Sequence, residues 1–282
     1  MFMNLTIFQQ KDIFPRFVRD KLSGVKLDYK EKNLQIEKSK QDGSKHLKAG
    51  VVLLLNYKNI QDKSEYVFQL IKRSGKVSQG GDISCPGGML QPCNDNIFSY
   101  FLKAGMLPLM HDKAQRRIQS EDKETTSLIR LFLTTAMREA WEEIGLNPLK
   151  VVYLGALPSY SLILLARTIF PVVCLTTRPF AYRLSSEVEK VLEIPVRLFF
   201  DSENYAMLDV KTSLTEGNEP LQYQTPCLVI PDGKGNDDIL WGATFNIIHN
   251  FLNIISDGGL PTSYSSRTLN KVLTVKYISP KG

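Results

Sequence analysis

The stretch from Ala136 to Leu146 reads AMREAWEEIGL and constrains the chain more than any other. It places carboxylates at Glu139, Glu142 and Glu143, and positions i, i+3 and i+4 of an α-helix lie on one face. Three like charges on one face repel each other unless a positive group lies against them. Arg138 or a divalent metal ion would meet that need, and a solvated acidic helix face is the simpler alternative.

A glycine-rich stretch upstream favours contact with an anion. It runs from Arg73 to Gly88 and contains five glycines, with Lys72 and Arg73 bringing positive charge to its start. Bare backbone N–H groups and nearby cations together suit a phosphate group. We therefore identify Lys72, Arg73, Gly87 and Gly88 as candidate substrate-binding residues, although a strand-end arginine is as often only solvated.

The composition is that of an ordinary globular protein, and its positive charge suits an anionic small molecule as well as nucleic acid. The 282 residues are 43% hydrophobic and 23% charged, with a net charge of +6. No basic block with interleaved aromatic residues is present, so we expect no nucleic-acid partner. Four cysteines without a CxxC pair predict reduced thiols and a cytoplasmic location. No apolar run reaches membrane-spanning length, so no membrane partner is expected.

Hydrophobic patterns predict an alternation of strands and helices. We predict a hairpin formed by 51–55 and 66–72. Four further strands are predicted at 151–157, 170–175, 205–210 and 223–230. The helix with the acidic cluster is expected to start near Thr125 or Thr126, and a closing helix covers 240–255. Residues 187–193 are interpreted as a short polar segment. Strands that bracket a central helix predict an α/β fold with a mixed β-sheet and helices on both faces.

The ends of the chain differ from its middle. Residues 1–48 are interpreted as an N-terminal extension with a short amphipathic helix near 14–22. The charged run 30–48 is expected to be a loop or a weakly ordered linker. We expect the main domain to cover 49–256 and a polar C-terminal tail to cover 257–282.

The acidic segment resembles the second half of the Nudix box, in which Arg-Glu and a later Glu-Glu precede a glycine. Every fixed position of this half is filled between Arg138 and Leu146. The stretch from Lys72 to Gly88 and the segment Leu240 to Thr244 are similar to the coenzyme A diphosphatase branch of that family. The resemblance covers roughly residues 50 to 255 and implies a Nudix-type α/β/α sandwich.

The spacing of the box differs from the usual pattern. Gly88 and Arg138 are 50 positions apart, so a large insertion occupies residues 89 to about 130. The first glutamate of the box has no sure counterpart: counting gives Asn94 or Arg130, and Glu121 and Glu124 also remain open. The insertion is either a lid or wall of the substrate pocket, or a surface subdomain or dimer contact.

The resemblance implies metal-dependent hydrolysis of the pyrophosphate bond of coenzyme A or acyl-CoA. The products would be 3′,5′-ADP and (acyl-)4′-phosphopantetheine. Mg²⁺ or Mn²⁺ would be held by Glu139, Glu142 and Glu143. The implied catalytic residues are Glu143, Glu142, Arg138 and Glu187. Arg138 would orient a carboxylate, and Glu187 would be a further ligand or base, unless it is only an exposed carboxylate at a helix start.

Two other functions stay open at this point. A Nudix diphosphatase can act on another nucleoside diphosphate derivative, such as a dinucleotide or a nucleotide sugar. The unassigned first glutamate also allows a non-catalytic Nudix-fold module that binds nucleotides. In each case the expected partner is a small nucleotide, and assembly as a homodimer also stays open.

Overall fold

The computed structural model describes residues 4–41, 43, 45–60, 62–92, 95, 122–162, 165–213, 222–231, 235–262, 266–274 and 277. The described helices are α1 (Phe14–Ser23), α2 (Tyr29–Gln41), α3 (Lys123–Ile144) and α4 (Gly242–Ser256). The described strands are β1 (Leu47–Ile60), β2 (Lys63–Arg73), β3 (Ile83–Ser84), β4 (Gly87–Met89), β5 (Val151–Ala156), β6 (Tyr160–Leu162), β7 (Arg167–Thr176), β8 (Val188–Pro195), β9 (Tyr205–Ser213), β10 (Gln222–Ile230), β11 (Asp238–Leu240) and β12 (Thr268–Thr274).

Strand β1 is the centre of the larger sheet. It pairs antiparallel with β2 and β4 on one side and parallel with β7 on the other. Strand β8 adds to β2, and β5 and β6 add to β7. The run Val52–Leu55 is fully buried, as expected for a strand covered on both faces. The predicted mixed sheet is confirmed.

Helices cover both faces of this sheet. On one face, α1 and α4 share a buried cluster with Leu53, to which Val18 and Phe251 belong. On the other, α2 and α3 pack on Val52, and the ring of Phe132 stacks 3.9 Å from that of Phe170. The predicted α/β/α arrangement is therefore confirmed.

Helix α3 carries the acidic segment and has defined ends. It begins two residues before Thr125, because the side chain of Asp122 accepts hydrogen bonds from the first free backbone N–H groups. It ends at Gly145, whose φ of 73° is the left-handed conformation that glycine adopts without strain. Burial of its apolar stripe against β1 fixes which carboxylates face the sheet.

A second, smaller sheet has the strand order β11-β10-β9-β12. The strands predicted at 205–210 and 223–230 are confirmed as β9 and β10, which pair antiparallel. The expected C-terminal tail at 257–282 is wrong for part of its length, because β12 lies within it and pairs in parallel with β9. Leu273 is buried in one cluster with Leu208 and Val210, and this burial holds the strand in place.

Two further segments differ from the sequence expectation. Most of the charged run 30–48 is helical in α2, where Tyr29 and Ile36 are buried and Tyr29 donates a hydrogen bond of 2.7 Å to the Pro171 carbonyl. The polar segment 187–193 is mostly strand β8, which pairs antiparallel with β2. Most of the predicted insertion at 89 to about 130 lies outside the described residues. No helix among those residues is long and apolar enough to cross a membrane.

Candidate active site

A cavity of about 670 Å³ opens between β4, the second sheet and the start of α4. Four acidic residues line it, namely Asp82, Glu139, Glu143 and Glu187. Arg73 and Arg167 bring positive charge to the same space. The backbone of β4, at Gly87 and Gly88, forms part of the wall. Acidic and basic groups thus meet in one concave site, the arrangement that binds a metal ion together with an anionic substrate.

Strand β4 lets the carboxylates of α3 reach the cavity. A Cβ atom on Gly88 would lie 2.4 Å from Cδ of Glu139, so the glutamate fills the space that a side chain would take. The backbone N–H of Gly87 donates a hydrogen bond of 2.9 Å to Oε2 of Glu143. The two glycines therefore fix the positions of both carboxylates through close approach.

Glu143 is a buried carboxyl in an unfavourable electrostatic environment. The residue is only 6% exposed, and burial raises its pKa to about 8. The N–H of Gly87 and the charge of Arg73 lower this pKa, while Glu139 and Glu187 raise it further. A cation beside Glu143 would relieve this repulsion.

Glu139 is held by Arg138, which is itself held by Asp95. The Arg138 guanidinium lies 2.9 Å from Oε1 of Glu139 and 2.8 Å from Oδ1 of Asp95. It also donates a hydrogen bond of 3.1 Å to the Met89 carbonyl at the end of β4. Burial raises the pKa of Glu139, and the ion pair with Arg138 opposes this effect. Arg138 therefore orients a carboxylate.

Asp95 is fully buried and has all its partners on neighbouring elements. Besides Arg138, it accepts hydrogen bonds of 2.9 Å from the Thr135 hydroxyl and 2.8 Å from the Gln91 N–H. Asp95 directly follows Asn94, to which counting from Gly88 leads. No local pattern marks Asp95 as a site residue, because its contact with Arg138 of α3 joins residues 43 positions apart.

Two of the candidates for the first glutamate, Glu124 and Arg130, are described and do not line the cavity. Glu124 forms an exposed ion pair of 2.8 Å with Lys30, at the opposite end of α3 from the cavity. Asn94 and Glu121 lie outside the described residues.

Glu187 reaches the cavity because its loop binds the end of α3. The last carbonyl groups of a helix have no partner within it. Here the carbonyls of Glu143 and Ile144 accept hydrogen bonds of 2.9 and 3.0 Å from the N–H groups of Ser185 and Arg183. The loop therefore brings the exposed Glu187 to the rim of the cavity, close enough to act electrostatically on Glu143.

Three of the predicted site residues do not line the cavity in the described part of the chain: Arg138, which holds Glu139 from behind, Glu142 and Lys72. The Glu142 side chain is 54% exposed and lies 3.3 Å from Arg138, on the solvent side of α3. Lys72 forms ion pairs of 3.0 Å with Asp238 and 3.4 Å with Glu189. The structure therefore gives Lys72 a role in joining the two sheets and does not bring it to the substrate side.

Arg73 is fixed in place by the loop that it begins. Its backbone N–H and carbonyl pair with Asp82 and Gly81 at 2.9 and 2.8 Å, which closes the loop at its base. Its Nε donates a hydrogen bond of 2.9 Å to the Ser78 carbonyl. These contacts leave the terminal part of the guanidinium in the cavity wall.

Trp241 and two residues of the C-terminal segment hold the same loop through hydrogen bonds to Asp82. Asp82 accepts hydrogen bonds from Lys271 at 2.7 Å, from Trp241 Nε1 at 3.1 Å and from the Tyr277 hydroxyl. The Tyr277 carbonyl accepts a bond of 2.6 Å from the Gln79 N–H. The sequence interpretation missed Lys271 and Tyr277, which it assigned to a polar tail, because each pairing with Asp82 joins positions far apart in the chain.

The carboxylates fit a divalent ion that is completed by substrate and water. No group of three or more His, Cys, Asp or Glu residues in the described part of the chain is close enough to hold a metal ion by itself. Mg²⁺ usually binds through one or two carboxylates and keeps water and phosphate oxygens as its other ligands. The buried Glu143 beside Glu139 meets that smaller requirement.

No family model and no curated protein matches the chain. Among the solved structures to which it is similar, three each match 54% to 55% of this chain. A Nudix hydrolase from M. smegmatis, RenU, is 14% identical with a TM-score of 0.34, over 54% of this chain and 71% of that one. A NUDIX hydrolase from Alicyclobacillus acidocaldarius is 15% identical with a TM-score of 0.35, over 55% and 81%. An Ap4A hydrolase from C. elegans is 14% identical with a TM-score of 0.32, over 54% and 81%.

Proposed function

We propose that the protein is a metal-dependent Nudix hydrolase that cleaves a diphosphate bond in a nucleoside diphosphate derivative. The observation that carries this proposal is the convergence of Glu139, Glu143, Glu187 and Arg73 on one cavity beside the bare backbone of β4. The likeness of the acidic segment of α3 to half of the Nudix box supports the same reaction.

Glu139 and Glu143 are the proposed ligands of Mg²⁺ or Mn²⁺, with Glu142 beside them on the solvent side. The bound ion supplies charge neutralisation on the diphosphate and a water of lowered pKa. Burial of Glu143 makes its charge costly without a cation, so this carboxylate has the most to gain from a bound ion. Arg138 fixes the direction of the Glu139 carboxylate.

The remaining residues of the cavity bind substrate and move a proton. Arg73 stabilises the negative charge that develops on the phosphoryl oxygens. The backbone of Gly87 and Gly88 lines the cavity beside the diphosphate, and the absent side chain of Gly88 makes room for Glu139. Glu187 stands at the exposed rim, where it accepts the proton of the attacking water.

The proposed substrate is coenzyme A or an acyl-CoA, cleaved to 3′,5′-ADP and (acyl-)4′-phosphopantetheine. The resemblance of Lys72–Gly88 and of Leu240–Thr244 to the coenzyme A diphosphatase branch supports this choice. A cavity of about 670 Å³ has the size of sites that take ligands of this kind.

Incubation with a panel of substrates tests the proposal. The panel contains coenzyme A, acetyl-CoA, a dinucleotide and a nucleotide sugar, each with Mg²⁺ or Mn²⁺, and products are identified by mass spectrometry. We expect 3′,5′-ADP from the two coenzyme A species. Faster cleavage of a dinucleotide or nucleotide sugar would move the substrate to that class. Binding without any cleavage would show a non-catalytic module.

A further inference from the structure

Arg167 is a cation in the cavity wall that the proposed reaction does not use. It is the first residue of β7 and lines the cavity. Its Nε atom is buried and has no hydrogen-bond partner among the described residues. A buried donor without a partner costs free energy, which a ligand atom at that position would offset.

The strand register places Arg167 at the far end of the cavity from the carboxylates. Arg167 pairs with Leu47 on β1, whereas Gly87 pairs with Val51 on the opposite edge of the same strand. Four residues along a strand cover about 13 Å, and two strand spacings cover about 10 Å. The backbone of Arg167 is thus well separated from the carboxylate of Glu143, and its side chain shortens that distance.

Arg73 lines the same cavity and acts electrostatically on both Glu143 and Arg167. Its positive charge lowers the pKa of Glu143 and also lowers that of Arg167. Burial is the larger cause of the lowered pKa of Arg167. Two guanidinium groups therefore line one cavity, and each repels the other until an anion lies between them.

The walls around Arg167 are largely apolar. Leu162 and Ile169 line the cavity beside it, and Leu162 is its direct partner across the strand pair β6–β7. Tyr160 lies next along the same strand and is fixed by a hydrogen bond of 3.0 Å from Asn246. Apolar walls exclude water and strengthen an ionic contact with a ligand.

We propose that Arg167, assisted by Arg73, binds a second phosphate group of the substrate, a phosphomonoester on the ribose next to the diphosphate that is cleaved. A guanidinium presents paired donors that match phosphate oxygens. This inference rests on the proposed function, since it names a feature of that substrate. In coenzyme A the group is the 3′-phosphate, and a nucleotide without it lacks the partner for Arg167.

Binding of two nucleotides that differ only in this phosphate tests the inference. The probes are 3′,5′-ADP and 5′-AMP, titrated by calorimetry without metal into the wild type, R167Q and R178Q. Arg178 is an exposed arginine that does not line the cavity and serves as the matched control. We expect R167Q to bind 3′,5′-ADP at least about tenfold more weakly, with 5′-AMP changed by less than about twofold and R178Q unchanged for both.

Three results would overturn the inference. The first is equal affinity of the wild type for the two nucleotides. The second is an equal loss of affinity for both nucleotides in R167Q, and the third is an unchanged affinity for both. Thermal unfolding of R167Q checks that the fold is intact, and R167K keeps the positive charge should the glutamine variant not fold. R167K is expected to retain part of the preference for 3′,5′-ADP.

The same measurement separates this inference from the proposed function. Nucleotide binding needs no cleavage. If the protein prefers 3′,5′-ADP through Arg167 but cleaves nothing in the panel, the phosphate site stands and the proposed reaction is refuted. If the protein shows no preference for 3′,5′-ADP and R167Q cleaves a diphosphate at the wild-type rate, the proposed reaction stands and the phosphate site is refuted.

Discussion

Arg138 and Asp95 form a buried ion pair of 2.8 Å between α3 and the segment after β4. Asp95 is fully buried and the Arg138 side chain is nearly so. The same guanidinium holds Glu139 and the carbonyl of Met89. The pair therefore joins the helix with the carboxylates to the strand that forms the cavity wall.

Replacing Asp95 with asparagine should destabilise the protein strongly. The change leaves the Arg138 charge buried without its main partner, which typically costs about 3 kcal/mol or more. Urea unfolding measures this effect. E124Q is the matched control, because it breaks an ion pair with Lys30 that is exposed to solvent and worth about 1 kcal/mol at most. Equal stability of the two variants would contradict a structural role for Asp95.

Replacing Glu143 with glutamine should reduce kcat by at least about 100-fold, the scale of losing a major catalytic contributor. The isosteric side chain keeps the packing but cannot offer a negative charge to a cation. Steady-state kinetics with the best substrate at several Mg²⁺ concentrations measure the loss. E203Q removes an exposed carboxylate outside the cavity and should leave kcat unchanged. Full activity of E143Q would show that α3 does not hold the metal.

The stability of the metal-free protein should fall as the pH rises from about 5 to 8. The pKa of Glu143 is raised from 4.5 to about 8, mainly by burial. The folded chain therefore binds more protons than the unfolded chain in this window, and the free energy of unfolding decreases with pH, by at most about 1.4 kcal/mol per unit. Urea unfolding in EDTA between pH 5 and 8 measures the slope.

E143Q provides the comparison for this pH effect. It has no group to ionise at that position, so its metal-free stability should exceed that of the wild type at pH 8 and approach it at pH 5. Saturating Mg²⁺ should reduce the slope of the wild type, because the cation stabilises the charged carboxylate. Parallel pH profiles for the two proteins would refute the raised pKa.

Replacing Gly88 with alanine should lower activity more than stability. The new Cβ would meet the carboxyl end of Glu139 at 2.4 Å, and a flexible side chain can move away at small cost in folding free energy. We expect kcat to fall at least about tenfold, because displaced ligands lose catalytic geometry. G24A is the control, since a Cβ at Gly24 meets nothing within 4 Å. An active G88A would show that the position of Glu139 is not critical.

Removing the Tyr277 hydroxyl should weaken substrate binding. Y277F loses the hydrogen bond to Asp82, which helps to hold the loop that begins at Arg73. We expect KM to rise about threefold to tenfold, less than the loss of a whole hydrogen bond to a charged group predicts, because Lys271 and Trp241 still hold Asp82, while kcat changes little. Y57F is the matched control, because its lost hydrogen bond to the Gln9 carbonyl lies outside the cavity. Equal KM values for both variants would exclude a role for the C-terminal segment in binding.

Local patterns made part of the structure predictable. The central strand and α3 depend on nearby residues, through a hydrophobic run and through the i, i+4 spacing of Glu139 and Glu143. By contrast, α2 buries little more than Tyr29 and Ile36, so its sequence is typical of a solvated segment. Strand β8 was hidden by charges such as Glu193, which pairs with Lys58 of β1, on the far side of β2.

Parts of the site were not predictable because they depend on contacts between distant positions. Asp95 meets Arg138 across 43 positions and Tyr277 meets Asp82 across 195. Nothing in the local sequence of either residue marks it as a partner of the other. The same applies to Lys72, whose ion pair with Asp238 depends on the second sheet. Charge and spacing identified the types of residue in the site, but only the fold shows which of them meet.

The parallel pair of β1 and β7 has a consequence for how quickly the cavity can form. Leu47 and Arg167 are partners although 120 positions separate them. Closing so large a loop loses chain entropy before the pairing contributes any stability, and such pairings slow refolding. Secondary structure should thus return before nucleotide binding does when the protein is diluted out of denaturant, and the delay between the two signals would report the closure of this one strand pair.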